Sequence, residues 1–444
     1  MTSREPRRFF ALLAAILVVA AGVRVAFILG EARHDERVYD AAYYELQARV
    51  IVDGRGWVDP FSDLAGQEHR AGEAADHPPL TVLAFVPVVA VTDALGLDDE
   101  SSQLVLRFEM AVFGLLVVLL IGLLGREIGG DGVGLVAAGI AAVYPYLWVN
   151  DGLLMSETYA AAAVVAALLL TVRLARREQP GLLEPLALGL TCGVAALARA
   201  ELLLLAPLLG LPLVATFRAL PAGRRLAIVG CVAAGTAVVV APWVGFNLAR
   251  FDAPTLISTN DGIALRGSNC DPVYSGAAIG LTDLERCIPR RQPPGDQSVV
   301  SRIYRQDAID YIRDGHEARF FLVEAARIGR NWGLWRPGDM LSWNESEGRP
   351  RWVTATGMVF YYPLLALAVG GIVVLRGRRV RQWPLLMPTV VVTAGTLFSY
   401  GQTRFRVPAE PSIVVLAAVA LVALVARLRA GPTAPSSEPA VNPG

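Results

Sequence analysis

The sequence predicts an all-α membrane protein of many spans, and three observations lead there. The chain of 444 residues is 54% hydrophobic and only 18% charged, with a mean hydropathy of +0.47. That is too apolar for a soluble chain of this length. Apolar runs near 20 residues recur, and in hydrocarbon only a helix satisfies its own backbone. Finally, arginine clusters fall on one side of the runs, as positive-inside topology requires.

Spans are predicted at 9–30, 104–124, 132–149, 153–172, 183–198, 201–217, 226–246, 353–375, 383–400 and 410–428. The first run follows Arg7 and Arg8 and is too long for a cleaved signal core, so it reads as a retained anchor. The run 80–91 is different. It is short, follows Pro78-Pro79, contains Pro87 and ends in acidic sequence at Asp98-Asp99-Glu100. It reads as a non-crossing juxtamembrane helix. With that choice Arg126, Arg173/Arg176/Arg177, Arg218/Arg224/Arg225, Arg376/Arg378/Arg379/Arg381 and Arg427/Arg429 share one side with Arg4/Arg7/Arg8. The expected topology is therefore ten spans in a multi-pass protein of the cell membrane, with both termini cytoplasmic.

This topology divides the chain into an N-terminal transmembrane module (1–246) with a first outer loop at 31–103, an extracytoplasmic segment at 247–352, C-terminal spans within 353–430, and a tail at 431–444. The tail, rich in Pro and Ser, is expected to be disordered. The segment 247–352 is expected to hold two amphipathic helices, near 298–313 and 316–330, parted by Asp314-Gly315. It reads as a small lid on the membrane. No internal repeat is evident.

Charge excludes some chemistry. The net charge is zero, which gives no footprint for nucleic acid. All basic side chains outside histidine are arginine, so no lysine is available as a base or Schiff-base former. Of the four cysteines, Cys192 and Cys231 lie in apolar runs and read as packing residues. Cys270 and Cys287 lie in a polar outer segment, where they are either a disulfide in an oxidising compartment or two free thiols. No cysteine or histidine spacing predicts a metal ligand set.

The candidate chemistry lies on the outer edge. Residues 40–52 read as a surface helix that begins at Asp40, with Tyr43, Tyr44 and Gln47 on the same face. Asp40 is either an N-cap or a carboxylate placed to take a proton. Asp35 and Glu36 read as solvated loop charge. His77 precedes Pro78-Pro79 beside Asp76 and stands out among four scattered histidines, with His34, His69 and His316. Asp151 either caps the helix after it or serves a substrate. Glu157 lies a turn inside an apolar span, where a carboxylate is costly unless it serves a site or pairs with an arginine such as Arg199. Arg199 either pairs with Glu201 or contacts a phosphate. Arg404 and Arg406 run against the arginine bias at the outer end of a span. Guanidinium groups suit phosphate, and an ion pair with Glu410 is the alternative.

The pattern of Asp40, Tyr44, the Gly54-Arg-Gly56-Trp57 turn and His77-Pro-Pro-Leu80 opening an apolar helix resembles the first outer loop of GT-C membrane glycosyltransferases. Within these it is similar to the glycosyltransferase family 39 group, which includes protein O-mannosyltransferases and lipid A aminoarabinose transferases. The resemblance implies transfer of a hexosyl or pentosyl unit from a polyprenyl-phosphate donor to a hydroxyl of a lipid, polysaccharide or protein acceptor, on the non-cytoplasmic face within the cell envelope. It implies Asp40 as base, Glu157 as a second acidic residue, and an Arg-x-Arg-x-Pro element at Arg404 and Arg406 near the donor phosphate. Tyr43, Tyr44, Asp151 and His77 would line the substrate site, and a single displacement would invert the anomeric centre. The sequence requires no cofactor, and because some GT-C relatives use a divalent ion the resemblance leaves room for one. Two other readings stand beside it: a transporter or flippase of a lipid-linked sugar, and a non-catalytic membrane subunit.

Overall fold

The computed structural model describes residues 4–34, 40–61 and 72–430. Asp35, Glu36, His69 and the tail 431–444 lie outside the described residues. The described chain is helical, with one isolated antiparallel bridge between Val58 and Glu73. α1 (Arg4–Gly30), α2 (Asp40–Val52), α3 (Leu80–Ala94) and α4 (Asp99–Gly129) open the fold. α5 (Asp131–Val143) and the single turn α6 (Pro145–Trp148) follow, then α7 (Glu157–Leu174), α8 (Leu183–Ala198), α9 (Leu205–Thr216) and α10 (Ala222–Arg250).

Six helices are long and apolar enough to cross a membrane. The pair Asp131–Val143 and Pro145–Gly152, bent by 63°, makes a possible seventh. The predicted spans at 183–198, 201–217 and 383–400 correspond to shorter apolar helices, Leu183–Ala198, Ala200–Thr216 and Trp383–Phe398. The protein is a multi-pass membrane bundle, and a total of ten depends on those three crossing.

The bend corrects the expected straight span at 132–149. Pro145 lacks an N–H and disfavours helical backbone in the residue before it. Tyr144 is accordingly extended, at φ −74° and ψ 114°, and the helix restarts at Pro145. The run 80–91 is helix α3, of 15 residues, with Pro87 inside it. At about 1.5 Å per residue that is roughly 22 Å, short of the roughly 30 Å hydrocarbon thickness.

Small residues let the spans approach closely. A Cβ on Gly189 of α8 would lie 2.1 Å from the Val232 carbonyl oxygen of α10, and one on Gly235 of α10 would lie 2.4 Å from that of Leu186. Without a hydrophobic drive between helices in lipid, such close contact supplies the cohesion.

The segment after α10 folds as α11 (Asn260–Ser268), the short α12 (Leu284–Cys287), α13 (Gln297–Arg313), α14 (Glu317–Asn331) and α15 (Asp339–Glu345). α13 and α14 match the two expected amphipathic helices. A disulfide joins Cys270 and Cys287, and they share a small core with Val273, Tyr274, Ile279, Val323 and Ala326. Arg330, buried, donates to the carbonyls of Ile279 at 2.6 Å and Ala277 at 2.5 Å. The segment is tied to the bundle: Asn331 donates to the Val392 carbonyl at 3.0 Å, and Gly401 N–H to the Gly280 carbonyl at 2.8 Å. α16 (Arg351–Gly377), α17 (Trp383–Ala394) and α18 (Glu410–Ala430) complete the chain.

Candidate active site

The site lies where several helix ends meet. Asp40 occupies the first turn of α2, where free N–H groups and the helix dipole favour a carboxylate. Four residues on, Tyr44 is buried, and so is Tyr43. The His77 ring packs against both, with centroids 4.9 Å from Tyr43 and 5.2 Å from Tyr44. Its Nε2 lies 3.6 Å from Asp40 Oδ1.

His77 is held from the far segment. Gln297, at the start of α13, accepts from the Ala75 N–H at 3.0 Å and donates to Asp76 Oδ2 at 3.0 Å. Ser258 Oγ donates to the Asp76 carbonyl, and the Thr259 N–H to that of Ala75 at 2.8 Å. The Pro-Pro pair then opens α3. The loop carrying His77 is thus set by residues between 182 and 222 positions away.

Arg404 arrives from the other end of the chain, on the 3-10 stretch Thr403–Ala409. Its Nη1 donates to Asp40 Oδ2 at 2.8 Å, and its Nη2 to the Tyr400 hydroxyl at 3.3 Å. Its Nε lies 3.4 Å from Glu347. Burial alone would raise the Asp40 carboxyl. The Arg404 guanidinium, His77 and Arg199 outweigh it and hold the group well below the usual carboxylate range. Burial and then the Asp40 charge push the Tyr44 hydroxyl far above its ordinary range, so it stays a neutral donor.

Glu157 begins α7 and is 1% exposed. Three guanidinium groups face its Oε1: Arg199 at 3.5 Å, Arg349 at 3.7 Å and Arg404 at 3.8 Å. Among the described residues neither carboxylate oxygen has a hydrogen-bond partner. Such a group costs free energy unless something else fills the gap. Arg199 also pairs with Glu201 at 2.7 Å and lies 5.1 Å over the Phe405 ring.

Two residues that the sequence reading passed over complete the cluster. Glu347 pairs with Arg349 at 3.0 Å, and Arg349 Nη2 donates to Asn150 Oδ1 at 3.2 Å. The signal was present in Glu345-Ser-Glu347-Gly-Arg349-Pro-Arg351, a charged run just before a span. Tyr400 joins as a partner of Arg404.

Other candidates go elsewhere. Arg406 pairs with Glu410 at 2.6 Å, donates to the Asn331 carbonyl at 3.3 Å and stacks 3.6 Å over Tyr361. It shares none of the partners of Arg404. A two-residue step on a 3-10 turn sends the side chains in different directions. Asp151 is buried with Arg24 of α1 at 2.6 Å and accepts from Thr158 Oγ1 at 2.8 Å. Asn150, its neighbour, reaches the cluster instead. His34 Nε2 accepts from Arg33 Nε at 2.8 Å, and His316 stacks on Tyr311.

Among the described residues no three His, Cys, Asp or Glu side chains form a group fit for a metal ion. The carboxylates of Asp40, Glu157 and Glu347 are each faced by arginine, a donor set suited to an anion between the cations rather than to a cation between the carboxylates.

Residues 76–246 match the family described as dolichyl-phosphate-mannose-protein mannosyltransferase. No match is found among curated proteins. The fold superposes on the archaeal oligosaccharyltransferase AglB from Archaeoglobus fulgidus, in complex with an inhibitory peptide and a dolichol-phosphate. The TM-score is 0.58 at 16% identity, covering 98% of this chain and 53% of that one. ArnT from Cupriavidus metallidurans bound to undecaprenyl phosphate gives a TM-score of 0.52 at 15% identity, covering 93% of this chain and 60% of that one. The chain thus spans between half and two thirds of the length of these relatives. The superpositions over nearly the whole chain, with the family match over residues 76–246, assign it the fold of the GT-C membrane glycosyltransferases.

Proposed function

We propose that the protein is a glycosyltransferase that moves a sugar from a polyprenyl-phosphate donor to an acceptor hydroxyl on the extracytoplasmic face, with inversion. The observation that carries this reading is the 2.8 Å contact between Asp40 and Arg404, residues 364 positions apart in sequence. It joins a carboxylate at a helix head to a buried guanidinium, beside two more arginines and at the ends of apolar spans. The arginine bias of the opposite helix ends supports cytoplasmic termini and an outward-facing site.

The reaction needs a base for the acceptor, positive charge for the departing phosphate and an apolar groove for the polyprenyl chain. Asp40 supplies the base. Arg404, Arg199 and Arg349 supply charge where the phosphate forms. Glu157 steadies a sugar hydroxyl, and Tyr43, Tyr44 and His77 form the aromatic wall around Asp40. Arg404 also holds Asp40 strongly acidic, so the resting carboxylate is a weak base. A donor phosphate would draw the guanidinium charge to itself and leave Asp40 more basic, which ties deprotonation of the acceptor to the presence of the donor.

The test uses purified protein, radiolabelled polyprenyl-phosphate sugars and a membrane extract as acceptor source. Label should pass to a lipid, polysaccharide or protein fraction. Asp40→Asn should abolish transfer while donor binding persists. Donor movement across the bilayer with no transfer would replace this reading with a transporter.

A further inference from the structure

At the end of the bundle opposite Asp40 lies a cavity of about 740 Å³. α7 connects the two ends: it starts at Glu157 in the candidate site and ends at Leu174, beside the cavity. Its 18 residues span about 27 Å, so this is a separate place. Val172, Phe217 and Val380 give the cavity apolar walls, and Arg176, Arg177 and Arg381 line it with positive charge. Glu178 is the one acidic side chain in the lining, and Arg176 and Arg177 also pair with Glu127 and Glu184 at its edge.

The arginines are anchored but far from saturated. Arg381 Nη1 donates to the Ala175 carbonyl at 2.6 Å, near the last turn of α7. Arg177 pairs with Glu184 at 3.1 Å. Arg176 donates to Glu127 Oε2 at 3.1 Å and to the Glu127 carbonyl. A guanidinium carries five N–H donors in a planar fork that matches phosphate. The volume lies within the usual range for ligand sites, about 300–1,000 Å³.

We propose that this cavity binds the head group of an anionic glycerophospholipid. Its phosphate lies among Arg176, Arg177 and Arg381, and its first acyl carbons lie against Val172, Phe217 and Val380. A free anion would leave the apolar walls uncovered. A zwitterionic lipid would bring its own cation up to three lining guanidinium groups. The position at the ends of spans is where lipid phosphates lie, and basic pockets between spans favour acidic head groups. The proposal requires only that the bundle sits in a membrane, so it stands or falls apart from the transferase reading.

The experiment takes full-length protein in neutral detergent and adds short-chain phosphatidylglycerol, phosphatidylcholine or inorganic phosphate. Thermal unfolding and native mass spectrometry are the readouts. Phosphatidylglycerol should raise the melting temperature and stay bound as a single copy, while the other two should do neither. The double variant Arg177→Gln/Arg381→Gln should bind phosphatidylglycerol about thirty-fold more weakly, through loss of two arginine contacts to an acidic head group. Arg313→Gln, at the exposed C-terminal end of α13, should bind as the parent does. Should the double variant fail to fold, Arg177→Gln alone, whose side chain is 63% exposed, carries the same test with a smaller shift. Equal stabilisation by phosphatidylcholine, stabilisation by phosphate alone, or unchanged affinity in the arginine variants would overturn the proposal.

Discussion

Glu157 and Glu410 are both buried carboxylates at the start of a helix, and both face arginine, yet they are built for different ends. Glu410 is saturated. Its Oε1 accepts from Arg406 at 2.6 Å and its Oε2 from the Tyr144 hydroxyl at 2.9 Å. Glu157 has three guanidinium groups within 3.8 Å and, among the described residues, no hydrogen bond at either oxygen. Buried charge is costly, and a chain normally offsets it with close, directed partners. At Glu157 the guanidinium groups stand at 3.5–3.8 Å, a looser ring of charge than the 2.6 Å pair at Glu410. The Glu410 pair fastens α18 to its neighbours, whereas the Glu157 cluster resembles a socket.

The largest effect that would break this contrast concerns the socket. Asp40→Asn should lower transfer by about 10²–10⁴-fold, the usual worth of a positioned base, with melting temperature nearly unchanged. A loss of stability as large as the loss of activity would make Asp40 structural. Next is the fastener. Glu410→Gln leaves the Arg406 charge buried without its counter-ion, and should destabilise the protein by about 3–5 kcal/mol. Glu157→Gln, measured in the same detergent, should cost much less stability and much more activity, and the reverse ranking would dissolve the distinction.

Cys270→Ser with Cys287→Ser opens a loop of 17-residue separation. It should cost about 3 kcal/mol in the outer segment by loop-closure entropy. The same loosening reaches Gln297 and His77, so the Michaelis constant should rise more than turnover falls. Reduction of the parent protein should reproduce the effect.

The smallest effect is on pH. Arg404 lowers the Asp40 carboxyl, so its ionic contribution to stability is complete above the unfolded value near 3.8 and is lost as pH falls toward the lower folded value. The acid limb of kcat/KM, which reports the free enzyme, should therefore lie below the ordinary carboxylate range. In Arg404→Gln it should move up, since burial then acts with less opposition. An unmoved limb would detach Arg404 from Asp40.

The sequence was readable where one-dimensional signals suffice. Apolar run length located the helices of the bundle, and two prolines with a short run marked α3 as distinct. Asp40 and Arg404 could each be singled out because a charge at a membrane edge requires a reason. Their shared sidedness implies that they converge at one outer pocket, and they meet at 2.8 Å; that the two side chains bond to each other directly could not be read, because nothing local relates the two positions. Asn150 and Asp151 show the limit at finer scale. Either could have faced the cluster, and the phase of one 3-10 turn sends Asn150 to Arg349 and Asp151 to Arg24. Glu347 and Arg349 were missed for a related reason: their roles depend on the fold of the segment before α16, which no apolar period encodes.

The pairing of an early carboxylate with a late guanidinium also has a meaning for synthesis. A nascent chain that stops before residue 404 carries the Asp40 carboxylate without the guanidinium that holds it acidic. The cluster around Asp40 can therefore close only after residue 404 has been made and folded against α2, so its assembly waits on the later helices of the bundle.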